Sequence, residues 1–357
     1  MNSQVLGERY EVQQQLAKKA GRRTLLARDL QTQELVVVKL LSFGSDFEWE
    51  ALKLFEREAA TLKALSHPAI PTYLDYLEVD AQQSRGFALV QTYIAGKSLE
   101  EHLKAGWTFA EIEVKQLAKA LLEVLVYLHG HQPPVLHRDI KPSNIVLTNR
   151  SGHSVGQTFL VDFGSVQTLA AQEGGTMTIV GTYGYMPPEQ FGDRTVPASD
   201  LYSLGATLIS LVTGTHPVDL PQQDLCIQFE QAADLSPAFA DWLRWMTEPS
   251  LNKRLTSARQ ALKALENEQQ RDSAVVGIRK TSDTKLQHES NQQNPLSWLV
   301  HVSKSLAKAL AQTDELQVWQ KTTRQGDIYW EVYNPATDQT AYFGSEAEFL
   351  KWVERRY

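Results

Sequence analysis

The sequence predicts an α+β protein with two lobes, a β-rich N-terminal lobe and a helical C-terminal lobe, followed by a small α+β C-terminal domain. Strand patterns surround one helix in the first ~80 residues. Helical patterns dominate from about Ser98 onward, and a polar stretch then precedes a tail of mixed pattern. We therefore expect the two-lobed domain at 8–265, a flexible linker at 266–295 and the small domain at 296–357.

The N-terminal lobe is predicted from apolar strands that flank a single amphipathic helix. QELVVVKLL is β-branched and apolar, which is typical of a buried strand. FEWEALKLFEREAATLKAL follows, and its residues Leu52, Phe55, Ala59 and Leu62 recur at helical spacing. SHPAIP should end this helix because proline cannot continue it. GFALVQTYIAG is expected to be a strand that leads into a hinge.

The C-terminal lobe is predicted to be mainly helical. Its helical segments are IEVKQLAKALLEVLVYLH, ASDLYSLGATLISLVTG, SPAFADWLRWMTE and TSARQALKALENE. Residues 133–190, between the first two of these segments, form a loop-rich block that is dense in His, Asp, Gly and Pro. Because polar loops on a rigid scaffold often carry function, this block is the predicted location of the site.

The tail at 296–357 is predicted to be a separate small unit. LSWLVHVSKSLAKALAQ has the spacing of an amphipathic helix, and LQVWQKTT, DIYWEVYN and TAYFG alternate as strands. SEAEFLKWVERRY closes the chain as a helix with Ser345 and Glu348 in capping-box positions. The tail contains no catalytic constellation, so we expect a module that binds either the main domain or another protein.

Composition and charge restrict the classes of function. Hydrophobic residues make up 42% and charged residues 22%, an ordinary balance for a globular protein. A net charge of −7 argues against attraction to nucleic acid or anionic membranes. The single cysteine, Cys226, excludes an internal disulfide, fits a reducing cytoplasm and is expected to be a small core residue. No apolar run approaches ~20 residues and the start MNSQVLGERYEV is polar, so neither a membrane span nor a secretory signal is expected.

Six short motifs carry the predicted chemistry. In chain order they are VVVK ending at Lys39, FERE ending at Glu58, LHRDIKPSNIVL at 136–147, LVDFGS at 160–165, GTYGYMPPEQF at 181–191 and SDLYSLGATL at 199–208. Together they resemble the motifs of eukaryotic-like, Hanks-type bacterial serine/threonine protein kinases, and DFGSVQTL is most similar to the cyanobacterial branch. The resemblance covers about residues 8–265 and implies the bilobal protein-kinase fold.

For catalysis, the resemblance implies transfer of the γ-phosphoryl group of ATP to a serine or threonine hydroxyl of a protein, with Mg²⁺ as the metal. Asp139 would accept or orient the proton of that hydroxyl, and Lys141 would contact the transferring phosphoryl group. Asn144 would hold Mg²⁺ together with Asp162, since hard oxygen ligands suit this ion. Taken singly, these residues have ordinary alternatives, Asp139 as a turn residue and Asp162 as a helix cap.

For ATP binding, the resemblance assigns Lys39 to the α- and β-phosphates, steadied by an ion pair with Glu58 on the following helix. The alternative for this pair is a surface ion pair that contributes little to stability. The residues expected around the adenine are the gatekeeper Gln91, the hinge residues Thr92 and Tyr93, Val37 above the base and Val146 below it.

The activation segment is expected to run from Asp162 to Glu189 and to end in PPE. The resemblance implies that Glu189 pairs with Arg254 and ties the segment to the C-terminal helices. It also implies that Asp200 braces the backbone of the catalytic loop from beneath. Thr182 would support the catalytic aspartate and lysine, as in members that are specific for serine and threonine.

Regulation of this segment is a further expectation. Arg138 would pair with a phosphorylated activation segment through charge-assisted hydrogen bonds, whereas His137 is expected to be structural. Thr176 and Thr178 are candidate autophosphorylation sites, and a phosphate there would add about −1.5 to −2 charges. Ordinary loop threonines are the alternative.

The nucleotide loop departs from the family's glycine-rich pattern. The hairpin LAKKAGRRT has Ala17, Lys19 and Arg22 where the family's three glycines stand. Losing glycine weakens a cradle of backbone N–H groups, and we expect the four cations of the hairpin to replace part of that attraction. The predicted nucleotide-contacting residues of the hairpin are Leu16, Ala17, Lys18, Lys19, Ala20, Gly21, Arg22, Arg23 and Thr24. The alternative is a solvated basic turn without a role in binding.

Two other functions compete with an active protein kinase. A pseudokinase or nucleotide-binding scaffold would explain the degraded loop, but Lys39, Glu58, Asp139, Asn144 and Asp162 are all present. A small-molecule phosphotransferase on a related fold would share the catalytic loop. It would lack the PPE-bounded segment and the SDLYSLG helix, so it ranks last.

Overall fold

The computed structural model describes residues 4–19, 21–43, 49–81, 84–151, 154–168, 181–192, 194–275, 317–322, 328–334 and 339–344. Within these ranges, no helix is both long and apolar enough to cross a membrane. The predicted α+β architecture with a strand-rich N-terminal lobe and a helical C-terminal lobe is present.

The N-terminal lobe is a six-stranded antiparallel sheet with one helix. Its elements are β1 (Val5–Leu6), β2 (Tyr10–Lys19), β3 (Arg22–Asp29), β4 (Leu35–Ser42), α1 (Trp49–Ala64), β5 (Tyr73–Ala81) and β6 (Ser84–Thr92). The strand order is β1-β2-β3-β4-β6-β5. The predicted helix and the strands on both sides of it are therefore confirmed.

The two faces of strand β4 bury different clusters because side chains alternate along a strand. Val36, Val38 and Leu40 pack into one apolar cluster on one face of the sheet. Leu41 lies on the opposite face, where it packs with Phe55 of α1 in a second cluster. Alternation places Lys39 and Val37 on the same face as Leu41, that is, on the side of the sheet that α1 covers.

The C-terminal lobe is built around helices, with short strand pairs at the loop-rich block. Its elements are β7 (Lys97–Ser98), α2 (Leu99–Lys104), α3 (Glu111–His129), β8 (Val135–Leu136), β9 (Ile145–Thr148), β10 (Gln157–Leu160), β11 (Gln167–Thr168), α4 (Pro197–Thr213), β12 (Gln222–Gln223), β13 (Cys226–Ile227), α5 (Pro237–Met246) and α6 (Ala258–Val275). Helix α4 is buried from Ala198 to Leu211, so it forms the centre of this lobe. Strand β11 pairs with β8, and β9 lies between β10 and β7.

Three local features differ from the expectation. Helix α2 was not predicted, although Ser98 and Glu101 form a complete capping box at its start. Helix α6 continues to Val275, so the stretch from 266 to Val275 is helical rather than part of a linker. Cys226 is partly buried and not among the fully buried core residues.

The tail contains the three predicted strands. They are β14 (Gln317–Thr322), β15 (Ile328–Asn334) and β16 (Gln339–Phe343), joined in that order as an antiparallel sheet. The predicted helix LSWLVHVSKSLAKALAQ and the closing helix with Ser345 and Glu348 lie outside the described residues.

Candidate catalytic site

The loop that carries Asp139 is fixed from below by a buried aspartate. Asp200, in the first turn of α4, accepts hydrogen bonds from the backbone N–H groups of His137 at 2.9 Å and Arg138 at 2.8 Å. Its carboxylate also contacts His129 Nε2 at 2.9 Å. Burial alone would raise the pKa of Asp200, but the hydrogen bond and charge of His129 and the other partners outweigh burial and lower it. The predicted brace is therefore present, and it holds an ionised carboxylate.

Backbone strain accompanies this bracing. Arg138 and Asp162 both adopt left-handed backbone conformations, with φ of 67° and 63°. Such conformations cost about 1–3 kcal/mol each in a non-glycine residue and persist only where surrounding contacts hold them. The hydrogen bond from the backbone N–H of Arg138 to Asp200 holds the left-handed conformation of Arg138. His137 lies fully buried with its ring 5.0 Å from that of Phe163, which supports its expected structural role.

The carboxylate of Asp139 is oriented by three neighbours. Thr182 Oγ1 donates a hydrogen bond of 2.7 Å to Oδ1, and Asn144 Nδ2 donates one of 3.1 Å to Oδ2. Lys141 Nζ lies 3.7 Å from Oδ2 and donates to Thr182 Oγ1 at 2.8 Å. The predicted contact of Thr182 with both Asp139 and Lys141 is thus confirmed, and the direction of the Asp139 side chain is fixed.

The side chain of Asn144 is positioned to offer its oxygen to a cation. Its Nδ2 donates both to Asp139 Oδ2 and, at 2.8 Å, to the carbonyl of Asp139. Because the amide nitrogen is directed at Asp139, the amide oxygen faces the other way, with the Ser143 hydroxyl 3.5 Å from it. The backbone carbonyl of Asn144 accepts a hydrogen bond of 2.9 Å from Val161, which places the chain next to Asp162. Asn144 directly precedes β9, and Asp162 follows the end of β10, the strand that pairs with β9. An amide oxygen and a carboxylate are donors that a hard divalent cation prefers, so these residues fit Mg²⁺.

Lys39 joins the N-terminal lobe to Asp162. Its ammonium donates a hydrogen bond to Glu58 Oε1 and lies 2.5 Å from Asp162 Oδ1. The side chains of Lys39, Glu58 and Asp162 are 13%, 2% and 40% exposed, so the pair with Glu58 is buried and not a surface ion pair. Burial alone would lower the pKa of Lys39, but the charges of Asp162 and Glu58 outweigh burial and raise it. The predicted pair is present, while the contact with Asp162 was not predicted.

The hairpin between β2 and β3 separates its cations. In the register of β2 and β3, Lys18 lies opposite Arg23 and Ala17 lies opposite Thr24. Across β3 and β4, Thr24 lies opposite Lys39. Since side chains alternate, Ala17 and Thr24 lie on the face of Lys39, whereas Lys18 and Arg23 lie on the opposite face. The register therefore does not support four cations that converge on one ligand.

The tip of the hairpin is a tight turn. Lys19 pairs with Arg22, Ala20 lies outside the described residues, and Gly21 has a φ of 65°, which glycine adopts without strain. Leu16 lies at an irregularity of the register between Gln15 and Ala17, and it is 44% exposed. Arg22 Nη2 donates a hydrogen bond of 2.8 Å to the backbone carbonyl of Ala51 in the first turn of α1. Its guanidinium is thus directed at helix α1.

The predicted adenine-side residues fall into two groups. Val37 pairs directly with Gln91 across β4 and β6, and both are buried on the face of Lys39. Tyr93 and Val146 lie beyond them, on the segment that follows β6 and on β9. The carbonyl of Leu147 and the side chain of Val146 lie so close to Gly96 that a Cβ there would be 2.2 Å and 2.8 Å from them. The segment after β6 is therefore packed tightly onto β9, which carries Val146.

The end of the activation segment is tied to the C-terminal lobe. Glu189 accepts hydrogen bonds from Arg254 Nη1 at 2.6 Å and Arg254 Nη2 at 3.0 Å, and Ser199 Oγ donates to it at 2.7 Å. The predicted pair of Glu189 and Arg254 is confirmed, and both residues are buried. Thr176 and Thr178 lie outside the described residues.

A buried contact of Arg138 was missed by the sequence. The guanidinium of Arg138 donates a hydrogen bond to Gln167 Oε1 on β11, and Thr195 Oγ1 donates to the same oxygen at 2.8 Å. Gln190 Nε2 donates to the carbonyl of Arg138 at 2.8 Å. A neutral glutamine therefore contacts the guanidinium for which the resemblance implied a phosphorylated partner.

Comparison with known proteins identifies the domain that contains these site residues. A family model described as a protein kinase domain matches residues 10–265. Serine/threonine-protein kinase B of Synechocystis sp. is 37% identical over 303 residues, which cover 80% of this chain and 51% of that protein. Serine/threonine-protein kinase PknA of Nostoc sp. is 35% identical over 279 residues, which cover 74% of this chain and 48% of that protein. The chain therefore spans about half the length of these curated relatives.

Proposed function

This chain belongs to the protein kinase family, and we propose that it is an active serine/threonine kinase of the cyanobacterial Hanks type. Its reaction transfers the γ-phosphoryl group of ATP to a serine or threonine hydroxyl of a protein. Relatives that match over most of this chain carry the name serine/threonine-protein kinase, which supports the assignment.

The orientation of Asp139 is the observation that carries this proposal. Thr182 and Asn144 each donate to a different oxygen of its carboxylate, so the side chain is held in one direction. A substrate hydroxyl aligned by this carboxylate would be positioned for in-line attack on the terminal phosphorus. Asp139 would accept the proton of that hydroxyl as the new oxygen–phosphorus bond forms.

Lys141 supplies positive charge beside the reacting group. Its ammonium is 3.7 Å from Asp139 and is held by the hydroxyl of Thr182 at 2.8 Å. We assign it to an oxygen of the phosphoryl group in transfer, where a fixed cation stabilises the charge that the transition state spreads over these oxygens. The same hydroxyl of Thr182 thus sets the positions of both catalytic side chains.

The nucleotide is assigned to the face of the N-terminal sheet that carries Lys39. Lys39 would bind the α- and β-phosphates, held by Glu58. Asn144 and Asp162 would hold Mg²⁺, which when bound neutralises charge on the phosphates. Ala17, Lys19, Gly21 and Thr24 are the proposed hairpin contacts, and Val37, Gln91, Tyr93 and Val146 are the proposed contacts of the base.

Phosphate incorporation in the full chain tests the proposal. The protein is incubated with labelled ATP and Mg²⁺, and the modified residues are mapped. We expect phosphoserine or phosphothreonine, and an Asp139→Ala variant should incorporate phosphate roughly 10²–10⁴ times more slowly. Asp219→Ala removes the same charge from an exposed position and is the matched control.

Two results would contradict the proposal. Equal rates for Asp139→Ala and the unmodified chain would show that Asp139 does not take part in transfer. Nucleotide binding without any phosphate incorporation would instead favour the pseudokinase. Lys39, Glu58, Asp139, Asn144 and Asp162 are all present. The contacts of Lys39 with Glu58 and of Asp139 with Asn144 favour the active enzyme.

Three further assignments are proposals of the same kind. Thr176 and Thr178 are candidate autophosphorylation sites, which the mapping above would identify. The tail at 296–357 is assigned as an interaction module for the main domain or for another protein, and a comparison of rates for 1–275 and the full chain would show inhibition directly. A cytoplasmic location is proposed from the single cysteine, Cys226.

A further inference from the structure

Arg22 connects the tip of the β2–β3 hairpin to helix α1. Its Nη2 donates a hydrogen bond of 2.8 Å to the backbone carbonyl of Ala51, and the contact is partly buried. Arg22 lies on β3 opposite its cross-strand partner Leu41 on β4. Next to it, the carbonyl of Gly21 accepts a hydrogen bond of 2.9 Å from the backbone N–H of Ser42. The backbone of Arg22 is therefore fixed on the sheet while its side chain reaches the helix.

The contact lies at the edge of the core that joins the sheet to α1. Leu41, the cross-strand partner of Arg22, packs with Leu52 and Phe55 of α1 in one buried cluster. Arg22 extends this apolar contact by a directional hydrogen bond to the start of the same helix. Because apolar packing alone is not directional, the hydrogen bond adds a restraint on where the helix begins.

Helix α1 transmits this restraint to Glu58. Glu58 follows Ala51 by about two helical turns, or about 10 Å, and residues at that spacing lie on one face of a helix. Glu58 is buried on that face and accepts the hydrogen bond from Lys39. A shift or rotation at the first turn of α1 would therefore move the carboxylate that holds Lys39.

We propose that Arg22 is a positioning residue that couples the nucleotide hairpin to α1 and thereby keeps Glu58 in contact with Lys39. This inference rests on the proposed kinase function and assigns Arg22 to the helix instead of the phosphates of ATP. A cation near the N-terminus of a helix opposes the helix dipole, so the helix gains nothing from the charge itself. Arg22 therefore acts through the geometry of its hydrogen bond to Ala51 and not through its charge.

The two assignments of Arg22 predict different kinetics. If Arg22 contacted a phosphate in ground state and transition state alike, its removal would raise the KM for ATP and leave kcat unchanged. If Arg22 positions α1, its removal displaces Glu58 and lowers kcat. A hydrogen bond to a charged group corresponds to about one to two powers of ten in rate, so we expect Arg22→Ala to lower kcat about 10- to 100-fold with KM for ATP within about twofold.

The experiment compares variants of the full chain. Arg22→Lys retains a donor on a long side chain and should recover most of kcat. Glu58→Gln removes the negative charge that holds Lys39 and so weakens their contact. The double variant Arg22→Ala/Glu58→Gln should be hardly slower than Glu58→Gln, because both changes act on the same contact. Lys53→Ala removes a positive charge from an exposed position of α1 and should leave the rate unchanged.

Hydrogen exchange of α1 gives a readout that is independent of catalysis. We expect Arg22→Ala to speed exchange of the backbone amides of 52–62, and Lys53→Ala to leave it unchanged. The coupling is overturned if Arg22→Ala raises the KM for ATP alone, if its effect on kcat multiplies with that of Glu58→Gln, or if α1 exchange does not change. An unmodified chain without transfer activity would overturn the proposed kinase function, while α1 exchange would still decide the coupling.

Discussion

Thr182 donates a hydrogen bond of 2.7 Å to the carboxylate of Asp139, across a sequence separation of 43 residues. The same hydroxyl accepts a hydrogen bond of 2.8 Å from Lys141. One hydroxyl of the activation segment therefore contacts both side chains of the catalytic loop to which the proposed reaction assigns a role. A displacement of the segment would remove this shared contact from both side chains at once, although Asn144 would still donate to Asp139.

Replacing Thr182 by valine tests this dependence. Valine has nearly the same shape but no hydroxyl, so Asp139 and Lys141 lose their common partner. We expect kcat for a serine- or threonine-containing peptide to fall by roughly 10- to 100-fold, the value of one hydrogen bond to a charged group. Thr182→Ser restores the hydroxyl and should recover most of kcat. A Thr182→Val enzyme within twofold of the unmodified rate would show that the contact does not matter for transfer.

The buried pair of Glu189 and Arg254 should contribute to stability, since removing one partner leaves the other charge uncompensated. The Arg254 side chain is 0% exposed and also donates to the carbonyls of Ala198, Glu248 and Pro249. We expect Arg254→Met to lower the free energy of unfolding by about 3–5 kcal/mol. Thermal unfolding should show this as a drop in Tm of about 10 °C for a domain of this size.

Arg244 provides the matched control for that prediction. It also pairs with carboxylates, but its side chain is 48% exposed. Exposed pairs contribute less than about 1 kcal/mol, so Arg244→Met should change Tm only slightly. A double variant in which both Glu189 and Arg254 become methionine should recover part of the lost stability, because neither charge of this buried pair is left without its partner. Similar Tm values for Arg254→Met and Arg244→Met would contradict the argument.

Much of the site could be predicted from sequence because its six motifs resemble those of protein kinases, and some of its contacts are local. Asp139 and Asn144 lie in one loop, and the hydrogen bonds between them follow from that proximity. Lys39 and Glu58 lie on successive elements, a buried β-branched strand and an amphipathic helix. The short helix α2 was missed although its capping box, Ser98 and Glu101, is visible in the sequence.

The remaining features depend on register and long-range packing. The faces of Lys18 and Arg23 follow from a hairpin register with irregularities at Val12/Gln14 and Gln15/Ala17, and a shift of one residue would exchange the faces. The contacts of Arg22 with Ala51 and of Arg138 with Gln167 each join residues 29 positions apart, which no local pattern indicates. The end of α6 was missed because ENEQQRDSAV is polar but rich in helix-forming residues, and polarity alone was read as a linker.

Gln167 is predicted to tune the stability of the catalytic loop. Its amide oxygen accepts hydrogen bonds from both Arg138 and Thr195. Gln167→Glu provides a charged acceptor for the same donors and should raise the free energy of unfolding by about 1 kcal/mol, whereas Gln167→Met removes the acceptor and should lower it by about 1–3 kcal/mol. Urea denaturation measures both changes, and Gln223→Glu at an exposed position is the control for added charge. Changes of the same sign for Gln167→Glu and Gln167→Met would contradict the role of this acceptor.

The lowered pKa of Asp200 predicts a dependence of stability on pH. An aspartate whose folded pKa lies below its unfolded value stabilises the fold above the unfolded pKa, about 3.9, and loses this contribution as the pH falls toward the folded pKa. Asp200→Asn keeps the shape but turns an amide N–H₂ toward a backbone donor of His137 or Arg138. We expect the variant to be less stable by about 1–3 kcal/mol at pH 7.

The pH at which this difference shrinks is the decisive measurement for Asp200. Urea denaturation at pH 7, 5, 4 and 3 should show a constant gap between the unmodified chain and Asp200→Asn down to about pH 4, and a narrower gap below it. Asp219→Asn removes the same charge from an exposed position and should show no comparable gap at pH 7. A gap that is unchanged from pH 7 to pH 3 would mean that the charge of Asp200 does not stabilise the loop. The position of the catalytic loop would then be fixed by the packing of α4 alone and not by the charge of the buried carboxylate.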